Sequence, residues 1–114
     1  MSNETLFEKI IKRDVPAEIL YEDLEAIAFK DINPQAPFHV LVCPKVPIKM
    51  LSNSTAEDEN LLGRLMRIGA SLAKDAGFGE NFRVVINNGP DAGQTVFHLH
   101  LHFLAGRKLV WPPG

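Results

Sequence analysis

Phe97, His98, Leu99, His100, Leu101, His102 and Phe103 alternate strictly between apolar and imidazole side chains. A β-strand has a side-chain period of two, so this run is expected to be a strand with all three imidazoles on one face and its apolar groups packed on the other. Adjacent histidines on such a face lie roughly 6.5 to 7 Å apart, close enough for two of them to engage one phosphate while the third supports from behind. Burying three polar rings merely as core would leave several ring nitrogens to be partnered, each costing about 1 to 3 kcal/mol if unmet. The imidazole face is therefore the place to look for chemistry.

The remaining elements follow from shorter signals. Thr5 and Glu8 have the spacing of a capping box, and Leu6, Phe7, Ile10 and Ile11 then lay an apolar stripe on a short helix that must stop before Pro16. Residues 19–21 and 24–30 read as two strands around the polar break at Glu22 and Asp23. Asn33, Pro34, Gln35, Ala36 and Pro37 mark a turn, and residues 39–43 form a strand that ends against Pro44 and Pro47. Ser54 and Glu57 predict a second capping box, opening a long helix that carries Leu61, Leu65, Ile68, Leu72 and Ala76 at helical spacing and ends at Gly77. Residues 82–87 read as a strand, 88–95 as a Gly-rich loop and 96–104 as the last strand. Short links between consecutive strands favour antiparallel pairing. The expected fold is α+β: one domain over residues 1–114, with a single mostly antiparallel five-stranded sheet, one long helix and one short helix.

Charge and cysteine content narrow the partners. A formal net charge of −2 and a pI near 6.0 give no general attraction to a nucleic acid polymer or an anionic membrane, so any phosphate chemistry must be local. Cys43 is the only cysteine, which excludes an internal disulfide and fits a reducing, cytoplasmic location. Strand alternation places Cys43 on the face of His39, but about 13 Å along the strand, too far for a nucleophile–base pair. Neither a signal peptide nor an apolar run of the roughly 18 residues needed to span a bilayer is expected.

Two chemistries compete for the histidine run. His-x-His on a strand can bring two imidazoles to zinc. The loop just upstream, from Asn87 and Asn88 through Gly89, Pro90, Asp91, Ala92, Gly93, Gln94 and Thr95, points instead to phosphate, because its glycines let backbone amides approach an anion. We therefore expect no metal and no other cofactor.

The run 97–104 resembles the histidine triad signature, and further matches point to the Hint branch of the histidine triad (HIT) family. Asp31, Ile32, Asn33, Pro34, Gln35, Ala36 and Pro37, followed by His39, resemble that branch's ribose-binding turn; Gly93, Gln94 and Thr95, then Gly106 and Arg107, and the ending Trp111, Pro112, Pro113, Gly114 are also similar. The resemblance implies a HIT-like fold, a homodimer and a purine nucleoside 5′-phosphoramidase acting on AMP- or GMP-type substrates. It makes His100 the nucleophile, with its other ring nitrogen bonded to backbone, and His102 the binder of the α-phosphate. His98 and His39 are expected to orient His100, and Thr95, where the branch more often has Ser, to meet the leaving amine.

For the nucleoside, the resemblance implies that Asp31 accepts from the ribose hydroxyls and that Leu6, Phe7, Ile10, Phe29 and Ile32 line a slot for the purine. The amides around Gly93, Gln94 and Thr95, with Asn87, would cradle the phosphate. At helix and strand spacing, the apolar residues of this set read equally well as core, and Asp31 as an ordinary turn residue. The rival activities are dinucleoside polyphosphate hydrolysis, nucleotidyl transfer and a non-catalytic nucleotide-binding regulator.

Overall fold

Thr5 opens the first helix as its spacing predicts: its hydroxyl accepts from the Glu8 amide at 3.2 Å, and the Glu8 carboxylate accepts from the Thr5 amide at 3.1 Å. In the computed structural model, which describes residues 4–114, this helix, α1, spans Leu6–Ile11. Five strands follow in the expected order around a second helix: β1 (Ile19–Glu22), β2 (Ala26–Lys30), β3 (Phe38–Pro44), then α2 (Glu59–Asp75), β4 (Arg83–Val85) and β5 (Leu101–Ala105). They form one antiparallel sheet in the order β1-β2-β3-β5-β4. No described helix is long and apolar enough to cross a membrane.

The period of two sorts the sheet into two faces. Ala26, Ala28, Val40, Val42, Leu101 and Phe103 point to one side and pack against Leu65 and Ile68 of α2. Contact there is close enough to exclude a side chain at Gly69, whose Cβ would lie 2.0 Å from the Phe103 ring. Ile27, Phe29, Leu41 and Cys43 point to the other side and pack against Phe7 and Ile10 of α1. Because α1 is only six residues long, it covers part of this second face and leaves room for the histidines beside it.

Two expectations shift. The second capping box is made by Thr55 and Asp58, not Ser54 and Glu57; it caps a single 3-10 turn, Ala56–Asp58, from which α2 continues at Glu59. The last strand begins at Leu101 rather than at residue 96. Its partner β3 ends at Pro44, beyond which Pro44 and Pro47 offer no N–H to a ladder. Residues 96–100 instead reach the following segment irregularly, with the Leu99 amide donating to the Ile48 carbonyl at 2.7 Å.

Candidate functional site

Although only His102 of the three lies within the strand, the imidazoles still gather on one side. Phe7 meets the His100 ring edge-on with centroids 4.7 Å apart and the His98 ring at 6.3 Å, and the His100 and His102 centroids are 5.0 Å apart. His39 joins from the neighbouring strand, its ring centroid 5.2 Å from that of His102. The register explains the meeting: Leu41 pairs with His102 and His39 with Leu104, so His39 and His102 are diagonal neighbours on one face.

The rings of Phe7, His100 and His102 border a cavity of about 210 Å³ on the α1 side of the sheet. Of the residues expected in the site, Leu6, Phe7, Ile10, Phe29, Asp31, Ile32, Thr95, His100 and His102 line it. Val15, Pro16, Ala17, Lys30, Leu41 and Val96 complete the wall and were not anticipated, although Leu41 was within reach of the period-two argument from His39. A wider cleft of about 670 Å³, beside Phe38, Leu72 and Phe78, is lined by none of His98, His100 and His102.

The remaining expected residues, His39, His98, Asn87, Gly93 and Gln94, do not line the smaller cavity, and His39 and Asp31 line the wider cleft. The Gly-rich loop folds onto itself through a 3-10 turn at Pro90–Ala92, so the amides of Gly93 and Gln94 are spent on the carbonyls of Pro90 and Gly89. Gln94 is buried, its side chain accepting from the Gly89 amide and donating to the carbonyls of Lys49 and Val96 at 2.8 to 3.0 Å. Gly93 has φ +100°, and a Cβ built there would lie 3.7 Å from the Asn87 side chain. Thr95 is the member of the expected phosphate cradle that faces the cavity.

Hydrogen bonds assign the ring protons. The His100 Nδ1 lies 2.7 Å from the His98 carbonyl, to which it can only donate, so in the neutral ring Nε2 carries a lone pair. His98 thus acts on His100 through its backbone, while its own ring turns away and donates from Nε2 to the Pro44 carbonyl at 2.7 Å. The His98 Nδ1 is buried with no partner among the described residues. His39 does not orient His100, contrary to expectation, because its Nε2 lies against the Nδ1 of His102 at 2.9 Å. The His39 Nδ1 accepts from the Gln35 amide at 3.0 Å, so its proton sits on Nε2 and is donated to His102. The His102 proton is thereby placed on Nε2.

Neutral rings are what this environment favours. Burial pushes the pKa of His39 and His100 below the usual value, and burial with the neighbouring His100 and His39 rings lowers that of His102 to about 4. Asp31 supports the turn with one carboxylate oxygen, which accepts from the Asn33 amide at 2.8 Å, and sets the other 3.6 Å from the His39 Nε2. Cys43 is buried and its thiol is pushed up to about 12 by burial, which removes it as a nucleophile.

Asp31, His39 and His102 also bring three potential metal-ligand atoms within 4.8 Å of one another. In the proton arrangement described, the facing nitrogens His39 Nε2 and His102 Nδ1 cannot both ligate a metal, because they share a hydrogen bond.

Residues 12–109 match the family described as the HIT domain. The chain is 57% identical over all 114 residues of both chains to an uncharacterized HIT-like protein of Synechocystis sp.. It is 46% identical over 112 residues, 96% of this chain and 88% of the relative, to a protein of Zea mays named 14 kDa zinc-binding protein. The solved structure of a HIT family hydrolase from Legionella pneumophila superposes with a TM-score of 0.95 at 40% identity, covering 97% of this chain and all of that one. With its histidine run, five-stranded sheet and full-length relatives in agreement, the chain belongs to the HIT family.

Proposed function

We propose that this protein is a nucleoside 5′-phosphoramidase that hydrolyses purine nucleoside phosphoramidates through a covalent nucleotidyl intermediate on His100. One observation carries the reading: His100 and His102 border the same cavity in opposite proton arrangements, a lone pair on one Nε2 and an N–H on the other. Simple binding of an anion calls for two donors. A lone pair beside a donor is what attack at phosphorus requires.

The His100 Nε2 lone pair forms a bond to the α-phosphorus as the phosphorus–nitrogen bond to the amine breaks. The departing nitrogen takes up a proton from solvent, relayed by the Thr95 hydroxyl, and the His102 N–H holds a phosphoryl oxygen as charge gathers on it. Water then attacks the phosphorus, the bond to His100 breaks, and the ring recovers its lone pair as nucleoside monophosphate and a proton depart. Splitting one displacement into two makes each easier. Asp31 takes the ribose hydroxyls with the oxygen not spent on Asn33, and the purine lies in the slot bounded by Leu6, Phe7, Ile10, Phe29 and Ile32.

We also propose a cytoplasmic homodimer. Family likeness supports it, as do the outer edge of the three-residue β4 and the exposed Val110 and Trp111.

Incubation with adenosine phosphoramidate, followed by quenching without acid and mass measurement of the intact chain, tests the reading. An adenylyl adduct mapped to His100, with release of AMP and amine, is the expected result. Turnover of dinucleoside polyphosphates in preference to phosphoramidates would favour the rival hydrolase, and binding of AMP without adduct or turnover would favour a regulator.

A further inference from the structure

We propose that Arg107 is a positioning residue, which holds His102 as an N–H donor through the Gln35 turn and His39. The links are contiguous. Arg107 donates from Nε to the Gln35 carbonyl at 2.8 Å, and the amide of the same Gln35 donates to His39 Nδ1 at 3.0 Å. His39 Nε2 then meets His102 Nδ1 at 2.9 Å.

The turn that carries Gln35 is tied within itself, by Asp31 to the Asn33 amide and by the Gln35 side chain to the Asn33 carbonyl, but those bonds do not fix it to β5. Asn33, Pro34, Gln35 and Pro37 are exposed, whereas the histidines it serves are buried or partly so. It is pinned to the end of β5 at two adjacent residues. Gly106, with φ +95°, lies so close that a Cβ there would sit 2.9 Å from Pro37, and Arg107 adds its hydrogen bond to Gln35. Water could satisfy the Gln35 carbonyl in place of the guanidinium, so removing Arg107 leaves no buried group unmet. Water would not tether the turn to the strand that bears His102.

The tether matters because the Gln35 amide decides which nitrogen of His39 is protonated. With the amide in place, His39 must accept at Nδ1 and donate from Nε2. Once the turn drifts, His39 can carry its proton on Nδ1 and present a lone pair to His102. His102 then moves its own proton to Nδ1 and turns a lone pair towards the phosphate, exchanging attraction for repulsion at the oxygen it should hold. The proton arrangement is a property of the free protein; its catalytic consequence rests on the phosphoramidase reading.

The two are therefore tested separately. In ligand-free protein with 15N-labelled histidines, long-range proton–nitrogen spectra should show His39 and His102 protonated at Nε2. In Arg107→Ala, both should move towards averaged tautomers while His98 and His100 keep their wild-type shifts. Arg107→Lys, which can still donate to one carbonyl, should restore the spectra in part. Arg83→Ala cuts a different tie of the tail, the 2.8 Å bond from Arg83 to the Val110 carbonyl, and should leave all four histidines unchanged.

For turnover, Arg107→Ala should lower kcat roughly ten- to a hundredfold, the scale of a misplaced catalytic group, with a smaller change in KM. In a His39→Gln background it should cost nothing further. Unaltered His39 and His102 spectra in folded Arg107→Ala, or the same spectral change in Arg83→Ala, would overturn the proposal. Additive losses in the double variant would overturn it as well. Absence of any phosphoramidase activity would leave the spectra to decide the positioning role alone.

Discussion

His100 and His102 are the same residue type two positions apart, with ring centroids 5.0 Å apart at the edge of the same cavity, yet they present opposite faces to a ligand. The difference lies entirely in what stands behind each Nδ1. Behind His100 is a backbone carbonyl, the chain's own at His98, which can only accept. Behind His102 is another imidazole, itself committed as a donor because a backbone amide occupies its far side. A side chain's role here is set by its second nitrogen, and that is fixed by backbone groups on two different segments.

The comparison breaks most completely at His100. His100→Ala removes the lone pair, so phosphoramidase turnover should fall by several orders of magnitude while AMP still binds through the sugar, base and His102 contacts. His102→Ala should keep the nucleophile and lose one stabilising donor, about 10² to 10³ in kcat if it acts as a single oxyanion contact. Adduct should then still form on His100, more slowly. Rapid quench and peptide mapping of both variants check the division of labour; adduct on His100→Ala, or a nucleotide mapped to His98 or His102, would refute it.

Asp31 sharpens the comparison at the sugar, where a smaller effect is expected. Since one of its oxygens already accepts from the Asn33 amide, Asp31→Asn is the appropriate variant: it keeps an acceptor for the turn and loses the charge. Ribonucleotide affinity should drop roughly tenfold, as for one charge-assisted hydrogen bond, while 2′,3′-dideoxy analogues lose almost nothing. Equal losses for both sugars, measured by calorimetry, would reduce Asp31 to a turn residue.

The alternation at residues 97–103 carried much of this into view. It segregated Leu101 and Phe103 towards α2 and the three imidazoles towards α1, even though residues 96–100 are not a strand. The period of two survives because buried apolar groups demand one side and polar rings the other; the ladder hydrogen bonds did not survive because Pro44 and Pro47 deny them a partner. Loop chemistry was less legible. Gly93 and Gln94 look like anion binders by composition, but whether an amide faces a ligand depends on which carbonyls the loop itself can reach, and here a 3-10 turn reaches them first. The His39–His102 contact needed the strand register, which no local pattern encodes.

The neutral rings also tie stability to pH. Folded His102 takes a proton only near pH 4, whereas an unfolded histidine does so near 6.5, so below pH 6.5 the unfolded chain binds more protons. Lowered pKa values at His39 and His100 act in the same direction. Stability should be whole above about pH 6.5 and decline as the pH falls towards about 4, read as a falling denaturant midpoint. His102→Asn should flatten that decline between pH 6.5 and 5; an unchanged slope would mean that this ring does not titrate as described.

The smallest expected effect is none at all, and it bears on whether His39 and His102 are a proton relay or a ligand pair. A metal bound through Asp31 and the two facing nitrogens, His39 Nε2 and His102 Nδ1, would need lone pairs on both, but one proton lies between these nitrogens, 2.9 Å apart. The Gln35 amide opposes moving that proton to the far side of His39, because it already donates there. Exhaustive chelation should therefore leave turnover and the His102 tautomer unaltered, and stoichiometric zinc should not raise either activity or thermal midpoint. Should chelation abolish turnover and zinc restore it, His39 and His102 would be metal ligands, and the contrast with His100 would arise from a cation rather than from the Gln35 amide.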